Sequence, residues 1–149
     1  MAGSSDELLA QEEELQFGSF TNDDAWALGC TLVEAAAGLP VAIDICRGEQ
    51  RLFHVALEGS AADNDAWIER KNRVVRRFGH SSYYMGVSSE GEFNARYLLD
   101  ESEFAAHGGA FPVIVRGVGV VGTVTVSGLP QEEDHRLVVS VLRAFLAGA

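Results

Sequence analysis

At 149 residues, with 47% hydrophobic and 9% aromatic side chains, the chain has the size and composition of one globular domain with a substantial core. A net charge of -11 argues against nucleic acid as a partner, because phosphate binding draws on lysine and arginine. No apolar run approaches the roughly 20 residues of a membrane span, so no membrane partner is expected. The acidic start lacks the basic and apolar blocks of a secretory leader, which makes a cytoplasmic location the expectation.

Charge is unevenly placed. No lysine or arginine precedes Arg47, whereas Arg70, Lys71, Arg73, Arg76 and Arg77 cluster mid-chain. Cys30 and Cys46 form no metal or redox motif and read as small core residues in a reducing compartment.

In chain order, a helix is expected over 4–15, capped by Ser4 or Ser5 with Asp6 and Glu7 at its positive end. Residues 1–16 thus read as an acidic N-terminal helix ahead of a single domain, 17–149. Thr21 or Asn22 caps a second helix whose apolar stripe is Ala25, Leu28, Leu32, Ala35 and Leu39, ended by Gly38 and Pro40. Val41, Ile43 and Ile45 then alternate with Ala42, Asp44 and Cys46, and Phe53, Val55 and Leu57 alternate with Leu52, His54 and Ala56. Placing both sets on one face requires an even register and a three-residue loop, 48–50, with Asp44 opposite His54. That pair reads either as a structural cross-strand contact or as a carboxylate favouring a protonated imidazole.

Asp63 is expected to cap a third helix reaching Phe78, with Trp67, Ile68, Val74, Val75 and Phe78 inward. Arg70, Arg73 and Arg77 line another side, either as a solvated, salt-bridged face or as an anion site. In 79–106, Ser81-Ser82 starts a short helix through Met85, Glu90-Gly91 breaks it, and 96–99 forms another turn. So long an irregular stretch suggests a lid or an interface arm. A strand at 113–115, a turn at Arg116-Gly117 and a strand at 118–126 follow. Pro130 opens a final helix with Glu132, Glu133 and Asp134 in its first turn, and Leu137, Val138, Val141, Leu142 and Phe145 form its core face.

Gly117, Gly119 and Gly122 match G-x-G-x-x-G, but β-branched Thr123 to Val126 follow where a dinucleotide site needs a helix. The match is therefore read as a hairpin feature. Gly108-Gly109 permits close backbone approach, and the adjacent His107 is a candidate metal or haem ligand or a general acid. The bland alternative is a structural loop. Ser127-Gly128, before the last helix, offers backbone donors to an anion. His135 reads as a helix-surface residue. No catalytic motif is present, so whether the protein is an enzyme stays open.

Several stretches carry a likeness: PVAIDI from Pro40, LEGS from Leu57, DNDAWIERK from Asp63, RRFGHSS from Arg76, HGGAFP from His107 and VGTVTVSGLPQEEDH from Val121. They resemble the haem-degrading, HbpS/GlcG-like family, closest to an uncharacterised branch of it. The resemblance implies an α/β fold of α+β type, a profilin-like antiparallel sheet flanked by helices, and assembly into dimers or higher homo-oligomers. It also implies that Lys71 matches a lysine usual in the wider family, while His107, Phe111, Asp134 and His135 belong to this branch.

The first functional expectation is an oligomeric binding protein for haem or another small anionic ligand. Arg70 and Lys71 would meet the anionic groups, His107 would be the metal-ligating candidate, Gly108, Gly109, Ser127 and Gly128 would supply backbone, and Phe111 would cover a ring face. The second is an assembly module without chemistry, using the acidic helix and residues 79–106. The third is a hydrolase or lyase with His107 or His135 as acid–base group.

Overall fold

The computed structural model describes residues 4–148. Strands β1 (Ala42–Arg47), β2 (Gln50–Ala56), β3 (Ala110–Val115) and β4 (Gly119–Ser127) form one antiparallel sheet in the order β2-β1-β4-β3. Helices α2 (Asn22–Ala35) and α6 (Gln131–Ala147) cover one face, and α3 (Ala62–Phe78) covers the other. The fold is α+β, as the family resemblance implies.

The two faces differ in kind. Period-2 alternation sends Ile43, Ile45, Val124, Val126, Phe111 and Val113 toward α2 and α6, into the main apolar core. Each such side chain contributes about 1.5–3 kcal/mol on full burial. The alternate positions Asp44, Thr123 and Thr125 are also wholly buried, yet polar. They lie under α3, whose own inward residues include Lys71 and Asn72. Asp44 accepts from Asn72 Nδ2 and Cys46 Sγ on one oxygen (both 3.1 Å) and from Arg51 Nε (3.1 Å) on the other. The Thr125 hydroxyl donates to Asn72 Oδ1. This seam satisfies Asp44, Asn72 and the Thr125 hydroxyl, groups that would each cost about 1–3 kcal/mol unpaired, whereas the buried Thr123 hydroxyl has no hydrogen-bond partner.

Asp44 does pair with His54 across β1 and β2, with Nδ1 3.0 Å from the carboxylate. His54 Nε2 also lies 3.1 Å from Asp65 of α3, placing the ring between two acids. The even register holds from Ala42 to Ile45, and then a bulge between Ile45 and Cys46 shifts it. The bulge absorbs one residue, so the turn has two residues, Gly48-Glu49, instead of the three expected. Burial and desolvation by this seam push the Cys46 thiol up to about 12, which makes it an inert core residue; Cys30, expected in the core, is exposed on α2.

Other boundaries moved for local reasons. Ala61, not Asp63, precedes α3, and the Asn64 side chain accepts from the Ala61 N–H at 2.9 Å. Helix α2 stops at Ala35, so Ala36 instead of Ala35 is buried. Thr21 caps it through a reciprocal pair with Asp24. Residues 79–106 hold two short helices, α4 (Ser82–Ser88) and α5 (Phe93–Tyr97), packed with Phe78, Leu99 and Phe104 into a second apolar cluster.

The G-x-G-x-x-G stretch is a hairpin: Gly117 and Gly119 take positive φ in the turn, and Gly122 lies in β4 opposite Arg47. A Cβ at Gly122 would collide with the Cys46 carbonyl oxygen. Gly122→Ala is therefore expected to cost about 2–4 kcal/mol through strand displacement, measured by urea unfolding; a change within ±0.5 kcal/mol, the usual range for an unconstrained surface position, would exclude this packing.

Helix α1 (Ser5–Glu14) is docked on its own domain. Leu8 and Leu15 are buried, Glu12 accepts from Ser81 N–H at 3.0 Å and lies 2.8 Å from His80, and Arg143 donates twice to Glu14.

Candidate functional site

A cleft of about 240 Å³ opens between α3, the loop before β3 and the β4–α6 connection. Helix α3 contributes Asn64, Trp67 and Lys71; the loop contributes His107; Ser127, Gly128 and Leu129 follow β4; and Gln131 and Asp134 come from α6. The helical spacing of Trp67 and Lys71, four residues apart, puts them on one face of α3. Asp134 sits in the first turn of α6, where the exposed backbone donors of the β4–α6 connection converge on its carboxylate.

Lys71 and Asp134 form a buried pair. Lys71 is 3% and Asp134 1% exposed. Lys71 Nζ donates to Asp134 Oδ2 at 3.3 Å and to the Val126 carbonyl at 3.2 Å. Asp134 also accepts from the N–H groups of Gly128 (3.3 Å) and Leu129 (3.0 Å). Burial lowers the Lys71 amine from its usual range against the opposing pull of Asp134, and burial raises the Asp134 carboxyl against the opposing pull of Lys71. Both shifts favour the uncharged forms.

Gly109 makes this geometry accessible. Its φ is +138°, and a Cβ there would meet Val126 O and lie 2.7 Å from Lys71 Nζ. Gly108 packs against Gln131, whose side-chain oxygen accepts from the Gly108 N–H at 2.9 Å. The glycine pair thus gives passage to the protein's own lysine and helix, while His107 rests edge-on against Trp67, ring centroids 5.2 Å apart. Burial, followed by the charges of Lys71 and Arg70, lowers the His107 imidazole, so it faces the cleft as a neutral ring.

Of the expected site residues, Lys71, His107, Ser127 and Gly128 come together on the cleft, with Gly108 and Gly109 behind it. Phe111 does not join them: it is 0% exposed in the main core on the opposite sheet face, because odd positions of β3 point to α6. Arg70 lies over the Trp67 ring at 4.1 Å. Arg73 donates to the Glu103 carbonyl and Arg77 lies over Phe104, so the arginine row is three separate contacts and not one anion site. Trp67 is expected from the sequence only as an inward helix residue and Asp134 as a helix-start residue, and Gln131 carries no expectation. The signal for Asp134 was its position just after Ser127-Gly128-Leu129, where free N–H groups need an acceptor.

His135 is not a surface residue. It is 4% exposed, with Nε2 2.8 Å from Gln11 Oε1 of α1 and the ring against Tyr83 of α4. Burial, with Arg136 adding repulsion, pushes it down to about 4. Its folded value lies below the unfolded one, so its stabilising contribution is complete above about pH 6.5 and is lost as pH falls toward 4. The expected loss is on the order of 3 kcal/mol, and His135→Gln should remove it from a urea-unfolding pH series; an unaltered acid slope in that variant would exclude His135 as its source.

Residues 20–143 match the family model described as haem degrading protein HbpS-like. The chain belongs to this family. It is 60% identical over 145 residues to a UPF0303 protein of Streptomyces coelicolor, covering 94% of this chain and 92% of that one. It is similar in structure to the Ybr137w protein, with TM-score 0.91, 39% identity and coverage of 97% and 88%. The fold also matches the PduOC:heme complex at TM-score 0.68, with 14% identity and coverage of 85% and 94%.

Within one chain of this HbpS-like protein, the cleft residues do not fit haem. At about 240 Å³ the cleft falls below the roughly 300–1,000 Å³ of pockets for drug-sized ligands. Phe111, expected to cover a ring face, is buried on the opposite face of the sheet and out of reach. Among the described residues no group of three or more His, Cys, Asp or Glu could hold a metal ion, and no helix is long and apolar enough to cross a membrane.

Proposed function

We propose that this HbpS-like protein binds a small molecule carrying a carboxylate or carbonyl oxygen in the cleft over Lys71 and Asp134. The observation that carries this reading is a buried amine–carboxyl pair at the base of an open cleft with an aromatic wall. Perturbed titratable groups in a concave site are characteristic of ligand and catalytic sites. Trp67 and His107 supply planar surface, Lys71 supplies donors to an oxygen atom, and the size favours a ligand of a few heavy atoms over a tetrapyrrole.

The chain has two tryptophans, so Trp26→Phe leaves Trp67 as the sole emitter. Pyruvate is expected to quench that emission saturably, and Asp134→Asn to weaken the effect. Haemin added to the same protein is expected to give no Soret change that depends on His107. A Soret band lost in His107→Ala, with no response to pyruvate, would replace this reading with haem binding.

A second reading, self-association, is supported by Trp26, 63% exposed on α2 against Phe53, and by Leu98, 89% exposed. Light scattering should then give a defined homo-oligomer that Trp26→Asp dissociates. Because α1 is docked on its own domain, removal of residues 1–16 is expected to destabilise the fold before it alters subunit number.

A further inference from the structure

We infer that Lys71 is a nucleophile that forms a reversible imine with a small aldehyde or 2-oxo acid in the cleft, with Asp134 as its proton-transfer partner. The inference rests on the small-molecule reading above and names its substrate class.

Lys71 is the only lysine in the chain, against ten arginines. Its Nζ lies beside Gly109, where a Cβ would come within 2.7 Å of it. A purely structural cation facing solvent would tolerate arginine. This amine is instead buried, faces a cleft, and touches a carboxyl group that can take and return a proton. Nucleophilic lysines are activated by desolvation in this way, and the lowered amine and raised carboxyl agree with it.

The chemistry balances without a cofactor. Asp134 takes a proton from the Lys71 amine that donates to it, the uncharged Nζ attacks the carbonyl carbon, a C–N bond forms, and the π pair moves to oxygen. Asp134 delivers its proton to that oxygen and recovers one from the nitrogen, giving a carbinolamine. Asp134 then protonates the hydroxyl, the C–O bond breaks, and water leaves. The products are an iminium on Lys71 beside an Asp134 carboxylate, so charge is conserved and nothing is oxidised. The Gly128 and Leu129 N–H groups already aimed at Asp134 stabilise the carboxylate formed. His107, neutral at the edge of the cleft, stays outside the proton transfer.

The test uses the full-length protein with pyruvate as probe and sodium cyanoborohydride as trap, followed by intact mass and peptide mapping. A single reduced adduct on Lys71 is expected, absent from Lys71→Arg and slowed on the order of a hundredfold in Asp134→Asn. Mapping on the unsubstituted protein does not depend on whether either variant folds. Adduct only at the α-amino terminus, or Lys71 labelled equally fast in Asp134→Asn, overturns the assignment. Saturable Trp67 quenching without adduct retains the binding site and removes the imine, whereas neither quenching nor adduct removes both.

Discussion

Lys71→Met is expected to lower the unfolding free energy by about 3–5 kcal/mol, because removing one partner of a buried pair strands the other. Asp134 would remain 1% exposed with only the Gly128 and Leu129 N–H groups as partners. Met fills the space of the lysine stem, so the loss reports the amine and not a cavity. The deficit should shrink toward acid pH. Without the lysine, the carboxyl rises further above its unfolded value, and a raised group contributes stability while protonated and loses it as pH rises. Combining Lys71→Met with Asp134→Asn should recover roughly half of the loss, since the pair is coupled. Urea unfolding of the four proteins closes the cycle, and single losses that simply add in the double variant would show that the two residues act independently.

Asp44→Ala is the other change with a large expected effect, about 3 kcal/mol. Arg51 and His54 reach solvent when the carboxylate is removed, but Asn72 cannot: it is 0% exposed, and its amide donates to Asp44. The cost is therefore an orphaned buried donor together with lost charge-assisted bonds. Thr125→Val, which removes only the hydroxyl donated to Asn72, should cost about 1 kcal/mol. Thermal or urea unfolding ranks the two, and equal losses would show that Asp44 is not the centre of the seam.

Much of the architecture is local in origin. Alternation in 41–46 and 118–126, the even hairpin parity, the cap at Thr21 and the β-branched run after Gly122 all follow from nearest-neighbour geometry. They yielded the strands, most helices and the Asp44–His54 pair. The bulge at Ile45/Cys46 was not legible, because a bulge is set by how β1 is held between β2 and β4. His135 was misplaced for a related reason. On α6 alone it lies among Asp134 and Arg136, and it becomes buried only when α1, more than a hundred residues earlier in the chain, packs against it through Gln11.

The site divides in the same way. His107, the glycine pair, Ser127-Gly128 and Lys71 were recognisable by residue type and by family likeness. Their mutual contacts were not, and Phe111 went to the wrong face because a glycine-rich lead-in gives no parity for the strand that follows.

By itself, the sequence determined the alternation of polar and apolar positions along each strand, the helix starts, and the presence of one lysine. Only the tertiary structure decided that the polar strand face would be covered. An alternating strand ordinarily turns its polar side to water. Here α3 lies over it, and Asp44, Thr125, Asn72, Lys71 and Asp134 must find partners in one another. That enclosure desolvates the Lys71 amine and the Asp134 carboxyl, and it turns two ordinary charged residues into the base of the cleft.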